Sequence, residues 1–237
     1  MIEFSHVGKS YGDLTVFRDF NERIEDGELV IITGKSGSGK TTIMNLLLKE
    51  IEPDTGKIYL KRRCLSDVKT SEIPFYRRDI GVVFQDFKLF DDRTVYGNLE
   101  VVRNLTGGNR KETERRITSV LTMMGIDRLH KRRPKELSGG EKQKVCMARA
   151  IINNPAVLLA DEPTGNLDPE SSAEVMKLLE LIHRQGTTIL LATHDFKTAE
   201  SLLSRGRRID LDQRSSSGYS SSGISVRERN SLEQYPT

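Results

Sequence analysis

The octapeptide Gly34-Lys35-Ser36-Gly37-Ser38-Gly39-Lys40-Thr41 constrains this chain more than any other feature, because of what stands on either side of it. Before it lies the aliphatic run Leu29–Thr33, which reads as a buried strand. After it, Thr42 begins a helical pattern that continues to Glu50. A strand, a glycine-rich loop ending in Lys-Thr and a helix form the context that the Walker A pattern requires. Glycines let successive backbone N–H groups turn inward onto phosphate oxygens, and the positive end of the following helix adds favourable field. Lys40 is expected to reach the outer phosphates of a nucleotide, and the Thr41 hydroxyl to ligate Mg²⁺.

Two more aliphatic runs, Ala156–Ala160 and Thr188–Ala192, have the continuous character of parallel strands buried on both faces. In an open α/β sheet, the ligand-binding loops sit at the carboxyl ends of such strands. The first run ends in Asp161-Glu162, a Walker B arrangement. Asp161 is suited to hold Mg²⁺ through water, and Glu162 to polarise an attacking water as general base. Ahead of the core, Ile2 to about Tyr11 and Thr15 to Ile24 alternate apolar and polar residues, the pattern of antiparallel strands with one face exposed. Between about 84 and 154 the period becomes helical, with Ile117, Val120, Leu121 and Met124 in step and a further helix from Gly139 to Ile151. The expected fold class is therefore α/β: a P-loop NTPase core, an N-terminal antiparallel β lobe and an inserted helical lobe. Residues 1–212 form the folded unit. Residues 213–237, with two Ser-Ser-Ser-Gly runs, have almost nothing to bury and read as a disordered tail.

Composition narrows the class. Lys plus Arg number 37 and Asp plus Glu 34, so the formal charge of +3 gives no reason to expect nucleic acid as a partner. The start of the chain has no secretory pattern, and no window approaches the roughly 20 apolar residues of a bilayer span. If membrane work is done, another polypeptide supplies the path. Cys64 and Cys146 lie far apart with no nearby His and are expected to be packing residues.

Walker motifs occur in many NTPases, and Leu137-Ser138-Gly139-Gly140-Glu141 separates them. Ser138 is placed as the N-cap of a helix with Glu141 three residues on, a capping box, and the two glycines leave the first N–H groups open to an anion. Here the chain resembles the ABC ATPase family, whose LSGGQ signature is nearly reproduced ahead of the Walker B strand. The resemblance covers roughly Ile2 to Asp212. It implies that Tyr11 stacks on adenine, that Gln85 senses Mg²⁺ and the γ-phosphate while linking to a membrane partner, that Asp168 belongs to a loop across a dimer interface, and that His194 contacts the γ-phosphate. It also implies ATP and Mg²⁺ as cofactors. In an ATP-dependent homodimer, the signature of one copy closes over ATP held by Gly34–Thr42 of the other. Glu141 stands where glutamine is usual, and Lys144 where arginine is common.

Ala160–Asp168 resembles the branch of the family that holds the FtsE-like, lipoprotein-release and macrolide-exporter ATPases. Ile73–Phe87 and Asp92–Tyr96 are most similar to the FtsE-like cell-division members. That resemblance implies an FtsX-like integral membrane subunit on a separate chain, a place on the cytoplasmic face of the plasma membrane and regulation of peptidoglycan hydrolases. An exporter ATPase is the alternative. Phe87-Lys88-Leu89-Phe90 reads either as a docking surface for a partner helix or as packing. Arg110, Lys111, Arg115, Arg116 and Lys131-Arg132-Arg133 read either as a surface for anionic groups or as a solvated face.

Overall fold

The computed structural model describes residues 1–107 and 109–212; the serine-rich tail falls outside the described residues. Two sheets carry the architecture. Strands β1 (Ile2–Tyr11), β2 (Leu14–Ile24), β4 (Thr55–Leu60) and β5 (Arg63–Cys64) form an antiparallel sheet in the order β2-β1-β4-β5. Strands β3 (Leu29–Thr33), β6 (Ile80–Val83), β7 (Val157–Asp161), β8 (Thr188–Thr193) and β9 (Arg207–Asp210) form a parallel sheet in the order β6-β7-β8-β3-β9. The helices are α1 (Lys40–Leu47), α2 (Ile73–Tyr76), α3 (Val95–Asn104), α4 (Arg110–Met123), α5 (Gly139–Ile151), α6 (Pro169–Arg184) and α7 (Phe196–Ala199).

The alternation of side chains along a strand divides the parallel sheet between two cores. On β3, Val30 and Ile32 face one way, with Leu159 of β7, Leu190 of β8, α1 and the antiparallel sheet. Leu29 and Ile31 face the other, with Leu158, Ile189, Leu191 and the apolar stripes of α4, α5 and α6. Every residue of β3 and β8 is buried, and the polar side chains they carry, Thr33, Thr188 and Thr193, stand at the strand ends, where their hydroxyls accept hydrogen bonds. In the antiparallel lobe, Phe20 packs edge-on to Phe4 and beside Phe17, with ring centres 5.2 and 4.9 Å apart.

Helix starts are capped as their sequences suggest. Thr94, Asn109, Ser138, Asp168 and Asp195 each accept a backbone N–H three residues on, an arrangement worth about 1 kcal/mol apiece. The Ser138–Glu141 capping box forms in both directions: Glu141 N donates to Ser138 Oγ at 3.3 Å, and Ser138 N to Glu141 Oε2 at 2.9 Å.

Close approach sets how α5 meets the sheet. A Cβ on Gly81 of β6 would lie 2.4 Å from the carbonyl oxygen of Ala150 on α5, so only glycine allows this contact. Gly81→Ala must push strand and helix apart, and a loss of about 1–3 kcal/mol in urea unfolding is expected.

Three expectations need adjustment. Helix α1 begins at Lys40 and ends at Leu47, earlier than the apolar pattern suggested at both ends. Arg116 does not join the exposed basic face of α4; it turns inward to donate to the carbonyls of Ile151 and Ile152 at 2.9 and 2.8 Å, closing the end of α5. Cys146 is buried as expected, but its Sγ also donates to Phe87 O at 3.1 Å.

Candidate functional site

The parallel register brings the site together. Thr33 is level with Thr193, Asp161 with Ala192, and Val83 with Ala160. Four strands therefore end on nearly the same line, and the residues just beyond it are Gly34, Gln85, Glu162 and His194. They line an open cleft of about 840 Å³ together with Tyr11, Lys35, Ser36, Gly37, Gly39, Lys40, Thr41, Thr42 and Asp161. Of the residues expected around the nucleotide in the same copy, only Ser38 stands behind the lining, with its Oγ buried and without a hydrogen-bond partner.

The loop between β3 and α1 is held open by its own contacts. Gly39 has φ 103°, and a Cβ there would strike Phe17 Cζ at 2.6 Å and Val16 Cγ1 at 2.7 Å. The antiparallel lobe thus rests directly on the turn that begins α1. Lys40, almost fully buried, donates from Nζ to Gly34 O at 2.7 Å and Lys35 O at 3.1 Å, and stands 3.7 Å from Glu162 Oε1. Its ammonium is thus aimed into the cavity of the loop, where phosphate oxygens can replace the carbonyls it now contacts.

Burial pushes the Asp161 carboxyl above its usual range, against the opposing pull of the Thr41 hydroxyl and Lys40. Oδ2 accepts from Thr41 Oγ1 at 3.1 Å, while Oδ1 is buried with no hydrogen-bond partner. A buried carboxylate oxygen left unsatisfied is costly unless a cation completes it. One carboxylate, one hydroxyl and the side-chain amide of Gln85 are hard oxygen donors. They suit Mg²⁺, which takes one or two protein carboxylates and fills its shell with water and substrate phosphates.

Glu162 occupies a strained backbone position, φ 45°, with its N–H donating to Ala192 O at 2.9 Å. Strain of this kind persists where surrounding contacts over-determine it. Those contacts come from His194, whose N–H and Nδ1 approach Glu162 Oε2 at 3.1 and 2.8 Å. The carboxylate is thereby aimed across the mouth of the cleft. The loop after β7 closes on the Gln85 segment, since Asn166 Nδ2 donates to Gln85 O at 3.3 Å.

Ser138, Gly139, Gly140, Glu141 and Asp168 do not reach this cleft. Ser138 and Gly139 are exposed at the start of α5, and the site a Cβ would take on Gly139 lies 3.5 Å from Leu167. Asp168 caps α6, and the Ser171 N–H and hydroxyl at 2.9 and 2.7 Å hold its carboxyl below the usual range. These residues lie together at the starts of α5 and α6, apart from the cleft that Lys40 lines.

Some lining residues carried no sequence signal. Arg208 of β9 donates to Thr33 Oγ1 at 2.7 Å and lies 4.3 Å over the ring of Phe196, and the Asp212 carboxylate accepts the Lys35 N–H at 3.1 Å. Arg208 sits on, and Asp212 just beyond, a polar strand whose alternation gave no hint of a place in the sheet. Of the Phe87–Phe90 run, Phe87 and Leu89 pack against the core, and Phe90 is exposed.

Comparison with known proteins agrees with this geometry. A family model described as ABC transporter matches residues 17–165. The cell division ATP-binding protein FtsE of Streptococcus pneumoniae is 42% identical over 226 residues, covering 92% of this chain and 98% of that protein. FtsE of Mycobacterium tuberculosis is 43% identical over 222 residues, covering 90% and 96%. Among solved structures, the dimeric bacterial ABC transporter cassette MJ0796 superposes with a TM-score of 0.78 at 34% identity, covering 89% of this chain and 95% of that one. A dimeric post-hydrolysis state of the same cassette, bound to ADP and Pi, gives 0.76 at 35% identity, covering 84% and 90%. With its phosphate loop, paired acids and capped signature helix in these positions, the chain belongs to the ABC transporter family of ATP-binding, ATP-hydrolysing cassettes.

Proposed function

We propose that this chain is the ATPase subunit of an FtsEX-like complex, in which ATP-driven closing and opening of a homodimer moves an integral membrane subunit and so regulates peptidoglycan hydrolases during cell division. The observation that carries the dimer is the separation of the two polar surfaces. The cleft of one copy is lined by Lys40, Asp161, Glu162 and His194, whereas Ser138–Glu141, with Ser138 and Gly139 exposed at the start of α5, has no part in that lining. The division role rests on the similarity to the FtsE proteins along nearly the whole chain.

In this reading, the N–H groups of Gly37–Thr42 and the Lys40 ammonium bind the phosphates, and Tyr11, half exposed at the end of β1, stacks on the base. Thr41, Asp161 and Gln85 would hold Mg²⁺, which neutralises phosphate charge when bound. Glu162 takes a proton from the attacking water, and His194 keeps that carboxylate in place and touches the γ-phosphate. Ser138, Gly139, Gly140 and Glu141 of the second copy, with Asp168 beside them, complete the pocket. Closure then gives the triphosphate contacts that the diphosphate lacks, and this difference in affinity is what a nucleotide-driven switch needs.

The membrane partner binds near the segment after Gln85 and holds the chain on the cytoplasmic face. In host cells, the chain is expected to sediment with membranes and to be recovered with a small integral membrane protein. Production of a Glu162→Gln form should block septation. Recovery in the soluble fraction with normal division would reject the division role, and recovery with a solute or lipoprotein permease would point to export.

A further inference from the structure

The turn that follows Gln85 is strained, and the side chain of Arg149 grips both of its left-handed residues. Phe87 and Lys88 have φ of 59° and 48°; each such non-glycine residue disfavours its own conformation by about five- to thirtyfold. Their two carbonyls converge on a single guanidinium. Arg149 donates from Nη2 to Phe87 O at 2.9 Å and from Nη1 to Lys88 O at 2.5 Å, and Cys146, one turn earlier on α5, also reaches Phe87 O. The flanks of the turn are fixed independently. Ahead of it, Gly81 lets β6 lie against the backbone of Ala150. Beyond it, buried Asn98 accepts the Phe90 N–H at 2.8 Å and donates to Phe90 O at 3.1 Å.

We propose that Arg149 is a positioning residue for ATP hydrolysis: its grip on Phe87 and Lys88 keeps the turn left-handed, sets where Gln85 stands and ties Gln85 to the helix that starts at Ser138. Arg149 lies about 15 Å along that helix from its start, so movement of Gln85 in one cleft is felt at the surface offered to the other copy. The proposal rests on the role given to Gln85 above. Lysine cannot replace the arginine, because a point charge does not span two carbonyls in a fixed fork. When the grip is lost the turn relaxes and Gln85 leaves the cleft. The phosphate loop is untouched, so the loss falls on kcat and not on KM for ATP.

The test uses the full-length chain. Arg149→Lys is expected to lower kcat about tenfold, within the range set by the left-handed penalty, with KM for ATP changed less than about threefold. Adding Lys88→Gly should bring kcat to within about threefold of the Lys88→Gly single variant, because glycine takes the left-handed conformation unaided. Adding Lys88→Ala should not, although it removes the same side chain and the same contact with the Phe84 ring. If glycine and alanine rescue equally, or neither does, Arg149 only supports the helix and the proposal is overturned. A second comparison leaves half-buried Arg149 intact. At exposed position 88, Lys88→Val is expected to turn over about tenfold more slowly than Lys88→Gly, and equal rates overturn the proposal. Gln85→Ala is the separate arm. Unchanged turnover there removes both the role of Gln85 and the proposal, whereas lowered turnover without glycine rescue removes only the part given to Arg149.

Discussion

Glu162→Gln is expected to bind ATP with near-normal affinity while its turnover falls by about 10²–10⁴, the usual cost of losing a positioned general base. The amide keeps the size of the side chain, so its oxygen can still accept the His194 N–H and hold the strained turn. It cannot take a proton from water. It also removes the negative charge 3.7 Å from Lys40, which leaves that ammonium freer to meet a triphosphate. Hydrolysis is then blocked with nucleotide in place, and the variant should gather as a dimer when ATP is added and return to monomer with ADP. Light scattering and phosphate release measure the two effects separately. Wild-type turnover would remove Glu162 from the chemistry, and a monomer at every ATP concentration would remove the composite pocket.

The second large effect concerns that pocket directly. Gly139→Asp should abolish turnover, a loss of about 10²-fold or more, although the altered residue lies outside its own copy's cleft. A carboxylate at the start of α5 would face the phosphates of the neighbouring copy, and opposed like charges cost several kcal/mol. The substitution is tolerable for the fold, since the nearest side-chain atom to the new Cβ is at the ordinary distance of 3.5 Å; at Gly140 the same change would meet Ser171 Oγ at 2.6 Å. Lys40→Ala should lose about 10²–10³ in turnover by removing the ammonium from the phosphates. Mixing the two inactive proteins should restore activity, near a quarter of the wild-type rate per chain if the copies pair at random. One site in each mixed dimer then has an intact phosphate loop and an intact signature. No recovery on mixing would mean that each copy works alone.

Features that the sequence made plain are those in which one stretch of chain both specifies and performs its part. The phosphate loop needs only its own glycines and lysine, the Walker B acids only the strand before them, and the Ser138–Glu141 box only a helix turn. Each was readable and each formed. Strands β6 and β9 escaped because their evidence is distributed. Ile80–Val83 is broken by the glycine that admits α5, and Arg207–Asp210 presents polar residues that are satisfied by distant ones: Arg207 by Glu22 and Glu28, Arg208 by Thr33. Arg149 was hidden for the same reason. Its meaning depends on two carbonyls sixty residues away, and no period or spacing records them. Arg116 looked like one more charge on a basic helix until the end of α5 was seen to need it.

The common line on which β3, β6, β7 and β8 terminate implies a rule about length. A strand advances about 3.3 Å per residue and turns successive side chains to opposite faces. Dropping one residue from β7 would therefore retract the acids and exchange which of them points at the phosphate loop. Natural variation in chain length should accordingly collect in the connections at the opposite edge of the sheet, where no strand is obliged to finish in step with its neighbours.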